Sequence, residues 1–272
     1  MTSIRKNDLK SWKDALPGAA RYSHKYERGH GVFYGGADMT GAICLSSYSA
    51  TRMGLGLATI VAPEKSVDIY RQFKPHIIVR PAGSEQEKIK FAKADNVNTI
   101  VIGPGYGQDK NLKRLTLDLL SLKKSYVLDA DALTCFESDR QEFFTSLTDH
   151  CVLTPHSGEF KKLFGNYDDK VAATIQAAIE TGAVIVHKGQ DTVIAAPNGR
   201  CVLQEGSPHL ATAGSGDVLT GFVAGLIGQG VPMFEAACAA VWMHVKCAEN
   251  FGRGLTATDL PEMLPDILQG IS

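Results

Sequence analysis

Short apolar runs with no polar alternate recur along this chain. Gly31–Tyr34, Leu57–Val61, His76–Val79, Thr99–Ile102, Tyr126–Asp129, Cys151–Thr154, Val184–His187 and Thr192–Ala195 each read as a strand. A strand with one face in water alternates apolar and polar positions, so continuous runs mark strands covered on both faces. Between them the apolar period lengthens. Gly41–Met53 is small and apolar-rich, and Asn111–Leu122 repeats leucine at helical spacing. Asp169–Glu180 puts Val171, Ile175 and Ala178 on one side of a helix. Strands alternating with helices predict a mostly parallel sheet joined by right-handed crossovers.

The last third departs from this alternation. Pro197-Asn198-Gly199 predicts the turn of a hairpin within Thr192–Leu203. Beyond it Gly216–Gly228, Phe234–Asn250 and Asp259–Leu268 read as helices, with no strong strand among them. No low-complexity linker or internal repeat divides the chain. Residues 1–272 are therefore expected to form a single α/β domain with a three-layer α/β/α build. The chain's 44% hydrophobic and 21% charged residues supply a core for one domain of this size.

Charge excludes several functions. A formal net charge of −1 gives no field to attract nucleic acid or an anionic membrane. The six cysteines, Cys44, Cys135, Cys151, Cys201, Cys238 and Cys247, form no CxxC pair. That argues against zinc or a disulfide framework and for a reducing compartment. The polar N-terminus lacks the apolar stretch of a secretory signal, and no run reaches the ~18 apolar residues of a membrane span. The expectation is a cytoplasmic protein.

In open α/β sheets, ligands bind beyond the carboxyl ends of the strands. Gly103, Gly105 and Gly107 follow one strand; they permit close approach to a ligand, or merely a tight turn. Asp129 and Asp131 follow another, placed to hold a metal or a hydroxyl or to cap the next helix. Thr154-Pro155-His156 ends a third, leaving His156 exposed where Ser157 or Gly158 starts a helix that Glu159 favours. Lys188-Gly189 ends a fourth. Lys188 is suited to nucleotide phosphates and Thr192 to donating a hydroxyl, unless this is only a solvated hairpin entrance.

The sharpest signal is Ala211–Gly221. Gly214, Ser215 and Gly216 open a helix, and backbone N–H groups at its positive end make an anion site. Asp217 beside it would repel phosphate. Its place makes sense if it moves a proton. The alternative, first-turn dipole compensation, is worth only about 0.3–1 kcal/mol. Neither a GxxxxGK[ST] loop nor a GxGxxG after the first strand is present.

Taken together, these motifs resemble a known family. Gly214-Ser215-Gly216-Asp217 resembles the anion hole of ribokinase-like kinases. The wider set is similar to ADP/ATP-dependent NAD(P)H-hydrate dehydratases: Ser23-His24-Lys25, Gly35-Gly36 with Gly41-Ala42, Gly103–Gly107, Asp129–Leu133, Thr154–Glu159, Lys188-Gly189, Ala211–Gly221 and Gly254–Leu260. The resemblance runs from about Ser23 to Leu268. It implies a ribokinase-like fold and dehydration of the S-epimer of hydrated NADH or NADPH, with ADP or ATP as co-substrate and Mg2+.

It further implies that Ala42, Gly105, Gly107, His156 and Asp217 contact the hydrate, with Asp217 catalytic. Lys188, Gly189, Gln190, Asp191, Thr192, Gly214, Ser215 and Gly216 would contact the nucleotide. No protein metal site is implied. A homo-oligomer is expected, as is a separate epimerase, because the fused N-terminal epimerase domain of many relatives is missing here. Two departures stand out. The Gly35–Ala42 loop is about one residue short, with Ala37 where serine is common, and Gly54-Leu55-Gly56-Leu57 replaces a Gly-Ala-Gly-Leu. The competing readings are a ribokinase-like kinase of the hydroxyethylthiazole or pyridoxal type and a non-catalytic nucleotide sensor.

Overall fold

The computed structural model describes residues 4–18, 24–107 and 110–271; Ser23 of the first motif lies outside them. The described residues form one sheet of ten strands. In chain order these are β1 (Arg5–Lys6), β2 (His30–Tyr34), β3 (Leu57–Ala62), β4 (Ile78–Pro81) and β5 (Thr99–Ile102). They continue with β6 (Ser125–Leu128), β7 (Cys151–Leu153), β8 (Val184–His187), β9 (Asp191–Ala195) and β10 (Cys201–Glu205). Their order across the sheet is β1-β10-β9-β8-β7-β6-β5-β2-β3-β4. Only the β8/β9 and β9/β10 pairs are antiparallel.

The expected strands are present. β4 starts two residues later than the apolar run because Ile77 is consumed by a turn, its amide donating to the Lys74 carbonyl. The hairpin closes as expected: Gly199 takes a positive φ and Ala196 bonds Arg200. β1 carries no apolar signal; it is two exposed basic residues on the edge.

The two faces of each strand feed different cores. On β5, Val101 joins one cluster while Ile100 and Ile102 join the other. Helices Thr40–Arg52, Ser215–Gly228, Met233–Phe251 and Asp259–Ile271 cover the first face. Helices Leu112–Leu120, Ser157–Phe164 and Lys170–Thr181 help cover the second. The result is three layers, α/β/α. Helix Glu85–Ala92, which the apolar pattern does not announce, buries only Ala92. Its local signal is the Ser84/Glu87 capping box.

Helices Thr40–Arg52 and Ser215–Gly228 touch closely because small residues line their contact. A Cβ on Gly221 would stand 2.2 Å from the Ser46 carbonyl oxygen. Gly221→Val is therefore expected to cost about 1–3 kcal/mol by overpacking. A lower urea midpoint with an unchanged m-value would report this; an unaltered midpoint would mean that the helices can part freely.

The order of strands reverses between β2 and β5. β2, β3 and β4 run outward one way, and β5 to β8 the other. This is the switch point at which open α/β sheets leave a crevice. The loops after β2 and β5 meet there with no room for side chains. A Cβ on Gly36 would stand 2.4 Å from the carbonyl oxygens of both Gly105 and Tyr106.

Candidate active site

The site is built from strand ends on either side of that crevice. After β6 the chain turns sharply: Ala130, at φ 47°, is the one non-glycine residue with positive φ among those described. The turn throws Asp129 and Asp131 to different tasks. Asp131 accepts the Gly107 amide at 2.9 Å and so fixes the glycine loop after β5. Asp129 is buried, 2% exposed, and its carboxylate ties two other elements to the site. Its Oδ1 accepts Lys188 Nζ at 2.8 Å and its Oδ2 accepts Thr220 Oγ1 at 2.7 Å. A buried carboxylate needs such partners, because burying charge without them costs several kcal/mol.

Lys188 follows β8. Burial alone would depress its pKa, but Asp129, Glu159 and Asp217 outweigh burial and hold it raised, so it stays an ammonium. Its Nζ lies 3.3 Å from the position a Cβ on Gly216 would take. The cation thus sits at the opening turn of helix Ser215–Gly228, whose first amides have no intrahelical partner. Gly214 caps that helix in the left-handed region, φ 88°. Two sources of positive potential, an ammonium and a helix start, converge on one point.

Asp217 stands in that turn, half-buried. Burial, then the negative charges of Asp129 and Glu159, push its pKa up to about 7, against the pull of Lys188. A carboxyl at that level exchanges a proton near neutrality, as a general base or acid must. Its Oδ2 stands 3.9 Å from the Cβ position of Gly214, so the carboxyl folds back over the glycine turn. Ser46 Oγ donates to the Asp217 carbonyl at 2.9 Å and fixes the turn against helix Thr40–Arg52.

The remaining sequence candidates fall into two groups around this centre. Ala42 and Gly105 meet: a Cβ on Gly105 would lie 2.8 Å from the Ala42 Cβ. Gly107 lines a cavity of about 550 Å3 at the switch point, with Gly36, Ala37, Lys65, Lys88 and Tyr106. His156 caps helix Ser157–Phe164. Its Nδ1 accepts the amides of Gly158 and Glu159, which leaves the proton on Nε2, 3.4 Å from Glu159 Oε1. The imidazole is nonetheless 60% exposed, so capping leaves its edge open to a ligand.

Gly189 and Gln190 follow Lys188 in the turn between β8 and β9, and Asp191 opens β9. Asp191 Oδ1 accepts the Gly206 amide at 3.3 Å. Thr192 lies within β9, 9% exposed and paired with Gln204. The Ser215 hydroxyl donates to the Leu210 carbonyl at 2.8 Å, so its side chain braces the loop.

Sequence reasoning missed Thr220 and Thr154. Thr220 bonds Asp129 and lies 3.4 Å from Thr154 Oγ1, beneath the site. Helical spacing held the signal for Thr220, since residues three apart share a face with Asp217. Glu159 proves more than a helix-start acid: buried, it adds negative charge beside Asp217. Among the described residues no group of three or more His, Cys, Asp or Glu could hold a metal ion, and no helix is long and apolar enough to cross a membrane.

Comparison with known proteins agrees with this geometry. The family model for NAD(P)H-hydrate dehydratases matches residues 31–270. The chain is 35% identical over 244 residues to the ADP-dependent (S)-NAD(P)H-hydrate dehydratase of Neisseria meningitidis, covering 85% of this chain and 79% of that protein. It is 32% identical over 255 residues to the bifunctional NAD(P)H-hydrate repair enzyme of Archaeoglobus fulgidus, covering 90% of this chain and 52% of that one. The chain thus spans about half the length of the bifunctional relatives. The ADP/ATP-dependent dehydratase of Bacillus subtilis, co-crystallised with ATP and Mg2+, superposes with a TM-score of 0.85 at 27% identity over the full length of both chains. With the fold, the switch-point crevice and the Gly214–Asp217 turn all accounted for, the chain belongs to the NAD(P)H-hydrate dehydratase family and has its ribokinase-like fold.

Proposed function

We propose that the protein uses ADP or ATP to dehydrate the S-epimer of hydrated NADH or NADPH, restoring the reduced dinucleotide. One observation carries this reading: Lys188 Nζ and the first turn of helix Ser215–Gly228 converge beside Asp217, a carboxyl poised at about 7. Hydroxide leaves carbon poorly, whereas phosphate leaves well. Asp217 takes the proton of the added ring hydroxyl as its oxygen attacks the terminal phosphorus of the nucleotide, whose phosphoanhydride bond breaks to release AMP from ADP or ADP from ATP. The Gly216 and Asp217 amides and Lys188 hold the transferring phosphoryl group, where each well-aimed donor is worth about 3–4 kcal/mol. The ring then loses a neighbouring proton and expels phosphate, and the double bond returns.

In this reading the nucleotide lies along Lys188–Thr192 and Gly214–Gly216. The hydrate lies against Ala42, Gly105, Gly107, His156 and Asp217. A dinucleotide outreaches these five residues, and the cavity beyond Gly107 offers room for its distal half. Mg2+ suits such a site as a companion of the nucleotide, because it usually binds through phosphates, water and at most one or two carboxylates. No described cluster forms an all-protein cage for it. In the cell the enzyme acts on cytoplasmic dinucleotides, as a homo-oligomer, in concert with an epimerase activity that supplies the S-epimer.

The test mixes the protein with hydrated NADH and each nucleotide and follows recovery of nicotinamide absorbance together with phosphate release. A stable phosphorylated product would instead assign a kinase. Phosphate release indifferent to the hydrate would assign a nucleotide sensor. The titration of Asp217 adds a second check. A base works deprotonated, so kcat/KM for the hydrate is expected to rise with pH through about 7. A flat profile across neutrality would remove Asp217 from the rate-limiting proton transfer.

A further inference from the structure

Lys170 takes no part in the steps above, yet it points at the nucleotide turn. It is the first residue of helix Lys170–Thr181, capped by Asp169. A cation at a helix start opposes the helix dipole, and burial further lowers its pKa, against the pull of Asp191. Packing does not require a lysine there. Its half-buried ammonium donates to the Asp191 carbonyl at 2.6 Å and to the Lys188 carbonyl at 3.3 Å. It lies 2.7 Å from where a Cβ on Gly189 would stand. Ser157 Oγ donates to the same Lys188 carbonyl at 3.4 Å.

Across a trans peptide, a carbonyl and the following amide point in opposite directions. Holding the Lys188 carbonyl toward Lys170 and Ser157 therefore aims the Gly189 amide the other way. The platform below is rigid. His187 stacks on Phe160 with ring centroids 4.0 Å apart and bonds Thr174 of helix Lys170–Thr181 at 3.0 Å. Burial, with Lys170 adding to it, pushes His187 down to about 3, so it stays neutral.

We propose that Lys170 is a positioning residue for the nucleotide: its ammonium pins the carbonyl side of the Lys188–Asp191 turn, which presents the turn's amides to the phosphates. The inference rests on the reading that this turn holds the nucleotide. Lys170→Met is expected to raise the Kd for ADP or ATP about tenfold, the scale of a lost charge-assisted bond. The KM for the hydrate and kcat at saturating nucleotide should stay within about twofold, because the bond is remote from the reacting atoms. Lys170→Arg, which keeps the charge and the donors, should restore affinity.

Wild-type nucleotide affinity in Lys170→Met overturns the inference, and so does an equal loss in both substrates that Lys170→Arg does not rescue. Gly189→Val separates this from the underlying reading. If that variant binds nucleotide normally, the turn is not the nucleotide site and both readings fall. If it loses affinity while Lys170→Met does not, only the role of Lys170 falls.

Discussion

Asp217→Asn is expected to abolish turnover, by about 10³-fold or more, the scale of a lost general base, while nucleotide affinity stays intact or improves. Asparagine keeps the shape and the backbone amides of the helix start but neither accepts a proton nor repels phosphate. The substitution should also leave the fold as stable or more so at neutral pH. The sign follows from the raised folded pKa of Asp217. Below the ordinary aspartate range, the group is protonated in both states and costs nothing. As pH rises from that range toward about 7, the unfolded chain has lost a proton that the folded site still holds, so stability falls, and the fall is complete once pH passes the folded value. The gap in stability between wild type and Asp217→Asn should accordingly widen from pH 4 to neutrality. Turnover within a few-fold of wild type would take the proton transfer away from Asp217.

Lys188→Met is expected to injure the protein twice, and the two injuries can be separated. The ammonium that attracts phosphate is gone, so nucleotide affinity should fall at least tenfold, the scale of a charge-assisted bond. Asp129 also loses its cation while 2% exposed. Removing one partner of a buried pair costs about 3–5 kcal/mol. A denaturation midpoint records the second loss and a nucleotide titration the first. Adding Asp129→Asn to Lys188→Met removes the orphaned charge, so the double variant should regain much of the stability and none of the affinity. If affinity returned with stability, Lys188 would be a structural lysine only.

How far the sequence carried this reading depends on what each residue does locally. The unbroken apolar runs marked the central strands because burial on both faces leaves no polar alternate. The Gly214–Asp217 turn was legible because two glycines and an acid at a helix start make the local pattern of an anion site. β1 was not legible: its pairing with β10 is made by backbone groups, and its side chains carry no pattern. Helix Glu85–Ala92 was missed because its charged surface masks a stripe that buries one alanine. Thr220 and Lys170 were missed for another reason. Each is ordinary in its own helix and gains meaning only from a carboxylate or a carbonyl far along the chain, Asp129 for one and Lys188 for the other.

The seam between Gly36 and Gly105 limits how this chain can change. Two strand-end loops that touch backbone to backbone behave as one plate, so neither can swing alone like a door. Gains or losses of length must fall on the outer side of the seam. Ala37 and Asp38 of the loop after β2 lie on that outer side, lining the cavity. Such edits reshape the mouth of that cavity and leave the spacing of Asp129, Lys188 and Asp217 untouched.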